Sequence, residues 1–168
     1  MVIEKFYGVT EMIEWYNDDK ITIFFNHKPN THMLEPLPSM TQAEKDLIEK
    51  YPFINCTALQ VAIYDKNLLK MYNFTITKSF RWDGATIPRL VWWIIGSKTN
   101  PKYRTPSLIH DYMCLNKYII DYRCEFSTQI FEALLSVAGV KKWRRKTMCF
   151  FINIYQKIFC DWGLEWNK

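Results

Sequence analysis

The string with the clearest chemical content is Ser107-Leu108-Ile109-His110-Asp111. Histidine is the side chain whose ordinary pKa lies nearest neutral pH, so it can take and return a proton. On a helix the adjacent aspartate points about 100° away around the axis. The two then divide the labour. His110 takes a proton as general base, and Asp111 holds a cation. The bland counterpart is a helix histidine satisfied by a buried partner beside a surface aspartate. A second string runs Phe80-Arg81-Trp82-Asp83-Gly84-Ala85-Thr86-Ile87-Pro88-Arg89. Its Asp-Gly step is turn chemistry, and Asp83 or Thr86 suits the cap of a helix opened by Pro88. The functional counterpart puts Asp83 at the mouth of a site, as a candidate catalytic residue with loop carbonyls nearby for a hard cation. Cys114 follows His110 by one helical turn, on the same face. Neighbours at that spacing rarely align for in-line attack. His27 and His32 fall in a loop rich in Pro and Asn, and read as solvated. No nucleophile-elbow serine, zinc-protease helix or glycine-rich phosphate loop is present.

The third feature is the basic run Lys141-Lys142-Trp143-Arg144-Arg145-Lys146. Residues 1–139 are electrically balanced, so the whole excess of +5 falls in residues 140–168. Five cations at a helix start oppose the helix dipole. Either they are a solvated end, or an anionic partner compensates them. A tryptophan among basic residues suits single-stranded nucleic acid, and a basic amphipathic helix suits a membrane surface. Lys141, Lys142, Arg144, Arg145 and Lys146 are the candidate partner- or anion-binding residues.

The 168-residue chain that must position these groups is 49% hydrophobic, 17% aromatic and 23% charged. That excludes intrinsic disorder. At 20.3 kDa about 70% of the chain's surface can be buried, so no disulfide or metal staple is needed. The five cysteines are odd in number and contain no C-x-x-C, which favours reduced thiols and argues against a zinc site. The first residues carry acids and no apolar core, unlike a signal peptide, and the longest apolar run is too short to span a bilayer.

The elements follow from period and punctuation. Lys20 to Phe25 is a β-run, and Cys56 to Tyr64 with Leu68 to Thr77 form a hairpin about Asp65-Lys66-Asn67. His27 to Pro38 is an irregular loop. Ser39-Met40-Thr41 caps a helix over Gln42 to Tyr51, stopped by Pro52. Further helices run from Pro88 to Gly96, from Thr105-Pro106 to about Ile120, from Ser127 or Thr128 to Ala138, and from Lys141 to about Phe159. The last has an apolar stripe at Met148, Phe151, Ile152, Tyr155 and Phe159. The fold class is α+β: an N-terminal antiparallel sheet with one short helix, then a C-terminal bundle of about three helices. A single domain, 1–168, is expected, with residues 1–50 as an extension carrying strands and 54–168 as its core.

The stretch from about Phe80 to Trp162 resembles a small phage and bacterial domain, domain of unknown function 1353. The residues that carry the resemblance are Asp83 to Arg89, Trp92-Trp93, Gly96, His110-Asp111, Phe131, Leu134 and Gly139-Val140. Cys114 stands where the family pattern has Tyr, and Thr128 where it has Asp. The His-Asp helix is similar in turn to the catalytic helix of secreted calcium-dependent phospholipases. There the His activates water, the next Asp binds calcium, and a Tyr and a distant Asp hold the His. That similarity implies His110 as base and Asp111 as calcium ligand. It leaves Asp83 or Glu125 to replace the orienting carboxylate.

What the resemblance implies first is a phage-type accessory protein, associated with the virion or tail or in contact with the host, built on a His-Asp helical site. Its partners would be other virion proteins or a host protein, and its location the host cytoplasm or the virion. The alternative is a small calcium-dependent ester or phospholipid hydrolase with His110 as general base. A third is a nucleic-acid-binding module using residues 141–146, with a membrane surface as the other anionic partner.

Overall fold

The computed structural model describes residues 11–84, 96–97, 99–117 and 124–159. Their architecture is α+β, with antiparallel sheet and a short helix first and helices after. Contacts group the chain into two units, residues 1–30 with 55–80 and residues 31–54 with 81–168.

The first unit is a four-stranded antiparallel sheet. Its strands are β1 (Ile13–Asn17), β2 (Ile21–Phe25), β5 (Leu59–Asp65) and β6 (Lys70–Ile76), in the order β1-β2-β5-β6. Alternation sets the register: Ile23 faces Ile63, and Ile63 faces Tyr72. Leu59, Val61 and Ile63 share one face of β5 and are buried, while Gln60, Ala62 and Tyr64 between them are half-exposed. Ile21, Ile23, Phe25 and Ile76 complete this core. Carboxylates close its turns. Asp18 Oδ1 accepts from the N–H groups of Lys20 and Ile21, each at 2.8 Å, between β1 and β2. Asp65 Oδ1 accepts from those of Asn67 at 2.9 Å and Leu68 at 3.1 Å, between β5 and β6. This is the expected hairpin, closed by the expected residues.

The second unit carries the helices. Its small sheet has the order β3-β4-β7, from β3 (Thr31–Met33), β4 (Phe53–Asn55) and β7 (Arg81–Trp82). Helix α1 (Gln42–Lys50) opens on a full capping box: Thr41 Oγ1 accepts from Glu44 N–H, and the Glu44 carboxylate accepts from Thr41 N–H at 2.8 Å. Helices α2 (Pro101–Leu115), α3 (Cys124–Val137) and α4 (Lys142–Phe159) follow. Tyr103, Phe131, Leu135, Val140, Met148 and Ile152 form their shared core. Gly139 takes φ +71° after α3, and Val140 N–H reaches back to Leu135 O at 3.0 Å. A residue with a Cβ is strained in that conformation, which is why glycine stands there.

Several boundaries differ from the sequence expectation, each for a local reason. Helix α2 starts at Pro101, before Thr105-Pro106, because Asn100 caps it through Lys102 N–H at 3.0 Å and Pro101 supplies a preset φ. Helix α3 already includes Cys124 to Phe126, and the Ser127 and Thr128 hydroxyls bond back to Cys124 O, at 2.8 and 3.4 Å, instead of capping. The loop His27 to Pro38 contains β3. His27 is not simply solvated: its ring nitrogens lie 2.9 Å from Lys28 O and 2.9 Å from Ala58 O. The helix expected from Pro88 lies outside the described residues, as do Ala85 to Trp93 of the family-like string.

Candidate functional site

The end of β7 brings an acidic group to α2. Trp82 is buried, with its ring 5.5 Å from that of Phe53, and its indole N–H donates to Ser107 Oγ at 3.0 Å. Ser107 lies one turn before Asp111 on α2, so the anchored strand carries its next residue, Asp83, to Asp111. The two carboxyls are in hydrogen-bonding contact. Burial, then the charge of Asp83 and the hydrogen bond to it, push the Asp111 carboxyl well above the usual carboxylate range. Asp111 Oδ2 is buried and receives no donor among the described residues. The direction of that shift favours the protonated form of Asp111, in which the carboxyl can donate and Asp83 accept.

The other Asp111 oxygen, Oδ1, faces His110 Nδ1 at 3.3 Å. His110 is only 8% exposed, and its ring lies 5.3 Å from that of Phe131. Its second nitrogen, Nε2, is 2.9 Å from Gln156 Nε2, on the buried side of α4. The Gln156 carbonyl accepts from Cys124 Sγ at 2.9 Å and from Thr128 Oγ1 at 3.2 Å. Its amide N–H therefore points at His110, which makes Nε2 the acceptor and leaves the ring proton on Nδ1, toward Asp111. Gln156 Nε2 also lies 3.3 Å from both Cys114 Sγ and Ser127 Oγ. A chain of contacts thus runs from α3 through Gln156 and His110 to the carboxyl pair.

His110, Asp111 and Asp83 come together, and Cys114 borders them, with its sulfur 3.7 Å from His110 Nε2. Glu125 does not join them. It is exposed and lies 3.6 Å from Lys157. The basic residues form a separate group at the start of α4. Lys141 and Lys142 are exposed, Arg145 donates to Val140 O at 2.9 Å, and Lys146 lies 3.0 Å from Glu132. Arg144 lies over the Trp143 ring at 5.2 Å and hydrogen-bonds the buried Tyr103 hydroxyl. Cys149 is a packing residue: burial, then the Glu132 charge, pushes its thiol up to about 12.

Gln156 is the residue that sequence reasoning missed. Its signal was present, since it follows Ile152 by one turn and is the polar member of an otherwise apolar buried face. A hard cation takes six to eight oxygens. The two aspartates supply part of such a shell, and among the described residues no group of three His, Cys, Asp or Glu side chains could hold a metal ion. What the arrangement offers by itself is a carboxylic acid against a carboxylate, with a histidine fixing the acid.

Fold and site together define an α+β protein with a partly buried carboxyl pair tied to a helix histidine. The chain belongs to the family described as "Protein of unknown function (DUF1353)", whose model matches residues 59–152. The matched stretch begins earlier than the motifs suggest, at β5, and ends before Gln156. The chain is also 33% identical over 101 residues to "Uncharacterized protein y4jT" of Sinorhizobium fredii (strain NBRC 101917 / NGR234), a match covering 60% of this chain and 27% of that protein. It therefore spans about a quarter of that relative's length. No solved structure matches. No described helix is long and apolar enough to cross a membrane.

Proposed function

We propose that the carboxyl pair is the acid–base centre of a small ester hydrolase. The observation that carries this is the meeting of Asp83 with Asp111. Two touching carboxyls do not both ionise, so one stays an acid beside a base at neutral pH. In this mechanism the Asp83 carboxylate takes a proton from water as its oxygen bonds to the acyl carbon. The C–O bond breaks, and the Asp111 carboxyl gives its proton to the departing oxygen. The proton left on Asp83 returns to Asp111. His110 and Gln156 are positioning residues, because both ring nitrogens are engaged inside the protein. A calcium ion held by Asp83 and Asp111 would require both carboxyls ionised, and would supply polarisation of the ester carbonyl in place of the shared proton.

Calcium titration with thermal unfolding, beside turnover of a p-nitrophenyl ester, tests this. A rise of the wild-type midpoint with millimolar calcium, absent in Asp111→Asn, favours the calcium form of the site over the proton-sharing pair. Turnover is expected to fall roughly 100-fold or more in Asp83→Asn and in Asp111→Asn. Full turnover in both variants overturns the assignment.

A second reading is favoured by the engagement of both His110 nitrogens and by Cys114 and Thr128 in place of the family's Tyr and Asp. In it the centre only stabilises the fold, and the chain is a phage-type accessory protein that meets virion or host proteins. It predicts no turnover by the wild type and co-purification with assembled particles.

A further inference from the structure

The first turns of α2 and α4 enclose a cavity of about 170 Å³, lined by Asn100, Lys102, Tyr103, Gly139, Lys141 and Arg144 among others. That is space for several waters, and so for one tetrahedral anion. Three of these residues are cationic and none is acidic. Neither helix has an acid in its first turn. Among the described residues no carboxylate pairs with Lys102, Lys141 or Arg144. Lys102 Nζ is held against Gly139 O at 3.3 Å, and Arg144 Nε is buried without an acceptor. Two positive helix ends and three cations therefore surround one small space, and no carboxylate among the described residues balances them.

What adjoins the cavity decides the source of the anion. Arg144 stacks on Trp143, which is exposed. From Trp143 an apolar stripe runs down α4 through Phe150, Ile154 and Ile158, with these four residues 38% to 66% exposed. Their spacings of seven, four and four place them on one helix face. Met148, Cys149, Ile152 and Gln156 are buried on the opposite one. The helix carries Lys142, Arg144, Arg145, Lys146 and Lys157 and no acid. An apolar stripe among cations, starting beside an anion cavity, complements a surface with phosphates outside and hydrocarbon beneath. Nucleic acid fits less well, because Ile154 and Ile158 give bases nothing to stack on.

We infer that the cavity between the first turns of α2 and α4 takes the phosphate of an anionic phospholipid, with the exposed face of α4 lying in the membrane interface. Flotation of the full chain with phosphatidylcholine vesicles, with and without phosphatidylglycerol, tests this. The wild type is expected to float only with the anionic vesicles, and less so as salt rises. Partitioning is expected to drop roughly tenfold or more in Lys102→Gln/Arg144→Gln, and also in Ile154→Ser/Ile158→Ser. The second pair is exposed, so its unfolding midpoint stays that of the wild type. Equal flotation with both vesicle types, or unchanged partitioning of either double variant, overturns the inference. Stabilisation by inorganic phosphate without flotation overturns the lipid source and leaves a soluble phosphate ligand. Displacement from vesicles by single-stranded DNA, with tighter binding to the DNA, overturns it in favour of nucleic acid.

Discussion

The two units use aspartate in opposite ways. In the sheet unit Asp18 and Asp65 each turn a carboxylate oxygen onto two backbone N–H groups at a strand end. They satisfy donors that the turn would otherwise leave to water. Partial burial pushes the Asp18 carboxyl up, but the N–H groups of Ile21 and Lys20, the Tyr16 hydroxyl and the Lys66 charge outweigh it and hold it below its ordinary value. In the helical unit Asp111 is set against another carboxyl, with one oxygen lacking a donor among the described residues. A carboxylate that closes a turn helps the fold, whereas one buried beside its like costs it. Such a cost, held in place by His110 and Gln156, is what the proposed acid–base reading rests on.

The largest effect is expected where the costly arrangement is anchored. Gln156→Leu removes the partner of His110 Nε2 and the acceptor for Cys124 and Thr128, all inside the protein. It is expected to cost about 2–3 kcal/mol in urea unfolding, because buried polar groups lose their partners outright. Asp18→Ala, whose partners return to water, is expected to cost about 1 kcal/mol. Equal costs would show that Gln156 is no more than another surface-grade hydrogen bond.

The same contrast explains what could be read from the chain alone. Helix α1 was legible because its cap, its Glu44 and its stop at Pro52 are all local in sequence. The β5–β6 hairpin was legible because alternation and turn residues agree. The short strands β3, β4 and β7 were not, since two or three residues carry no period and gain their partners from distant chain. His110, Asp111 and Asp83 were legible as residue types in a recognisable string. Their mutual arrangement was not, because it depends on Trp82 reaching Ser107 across the fold. Gln156 is 46 residues from His110, so no local pattern links them.

A second consequence of the comparison is a pair of opposite pH signatures. Asp111 has its folded pKa raised above the ordinary 3.8. The stability tied to its proton is complete below about pH 4 and is lost as pH rises through the folded value. Asp18 has its folded pKa lowered from 3.8. Its stability is present above about pH 4 and lost as pH falls through the folded value. Urea midpoints between pH 3 and pH 8 separate the two. Asp111→Asn is expected to remove the decline at higher pH and to gain on the order of 1 kcal/mol at pH 7, since an amide can accept from His110 and donate to Asp83. Asp18→Asn is expected to remove the acid-side loss instead. A decline toward pH 8 that persists in Asp111→Asn would detach it from the carboxyl pair.

The smallest effect sharpens the boundary of the site. Glu125 is the acid that sequence spacing offers as a replacement support for His110, and Gln156 holds that nitrogen instead. Glu125 meets Lys157 at 3.6 Å, with both side chains more than 60% exposed. Pairs of this kind are worth little, because water screens them and two long side chains lose freedom in forming them. Glu125→Ala is expected to change unfolding stability by less than about 0.5 kcal/mol. It is also expected to leave the His110 ring resonances where they are in the NMR spectrum at fixed pH. A shift of those resonances in Glu125→Ala, without one in Gln156→Leu, would move the support of His110 from α4 to α3. It would also remove the reason for treating Gln156 as part of the site.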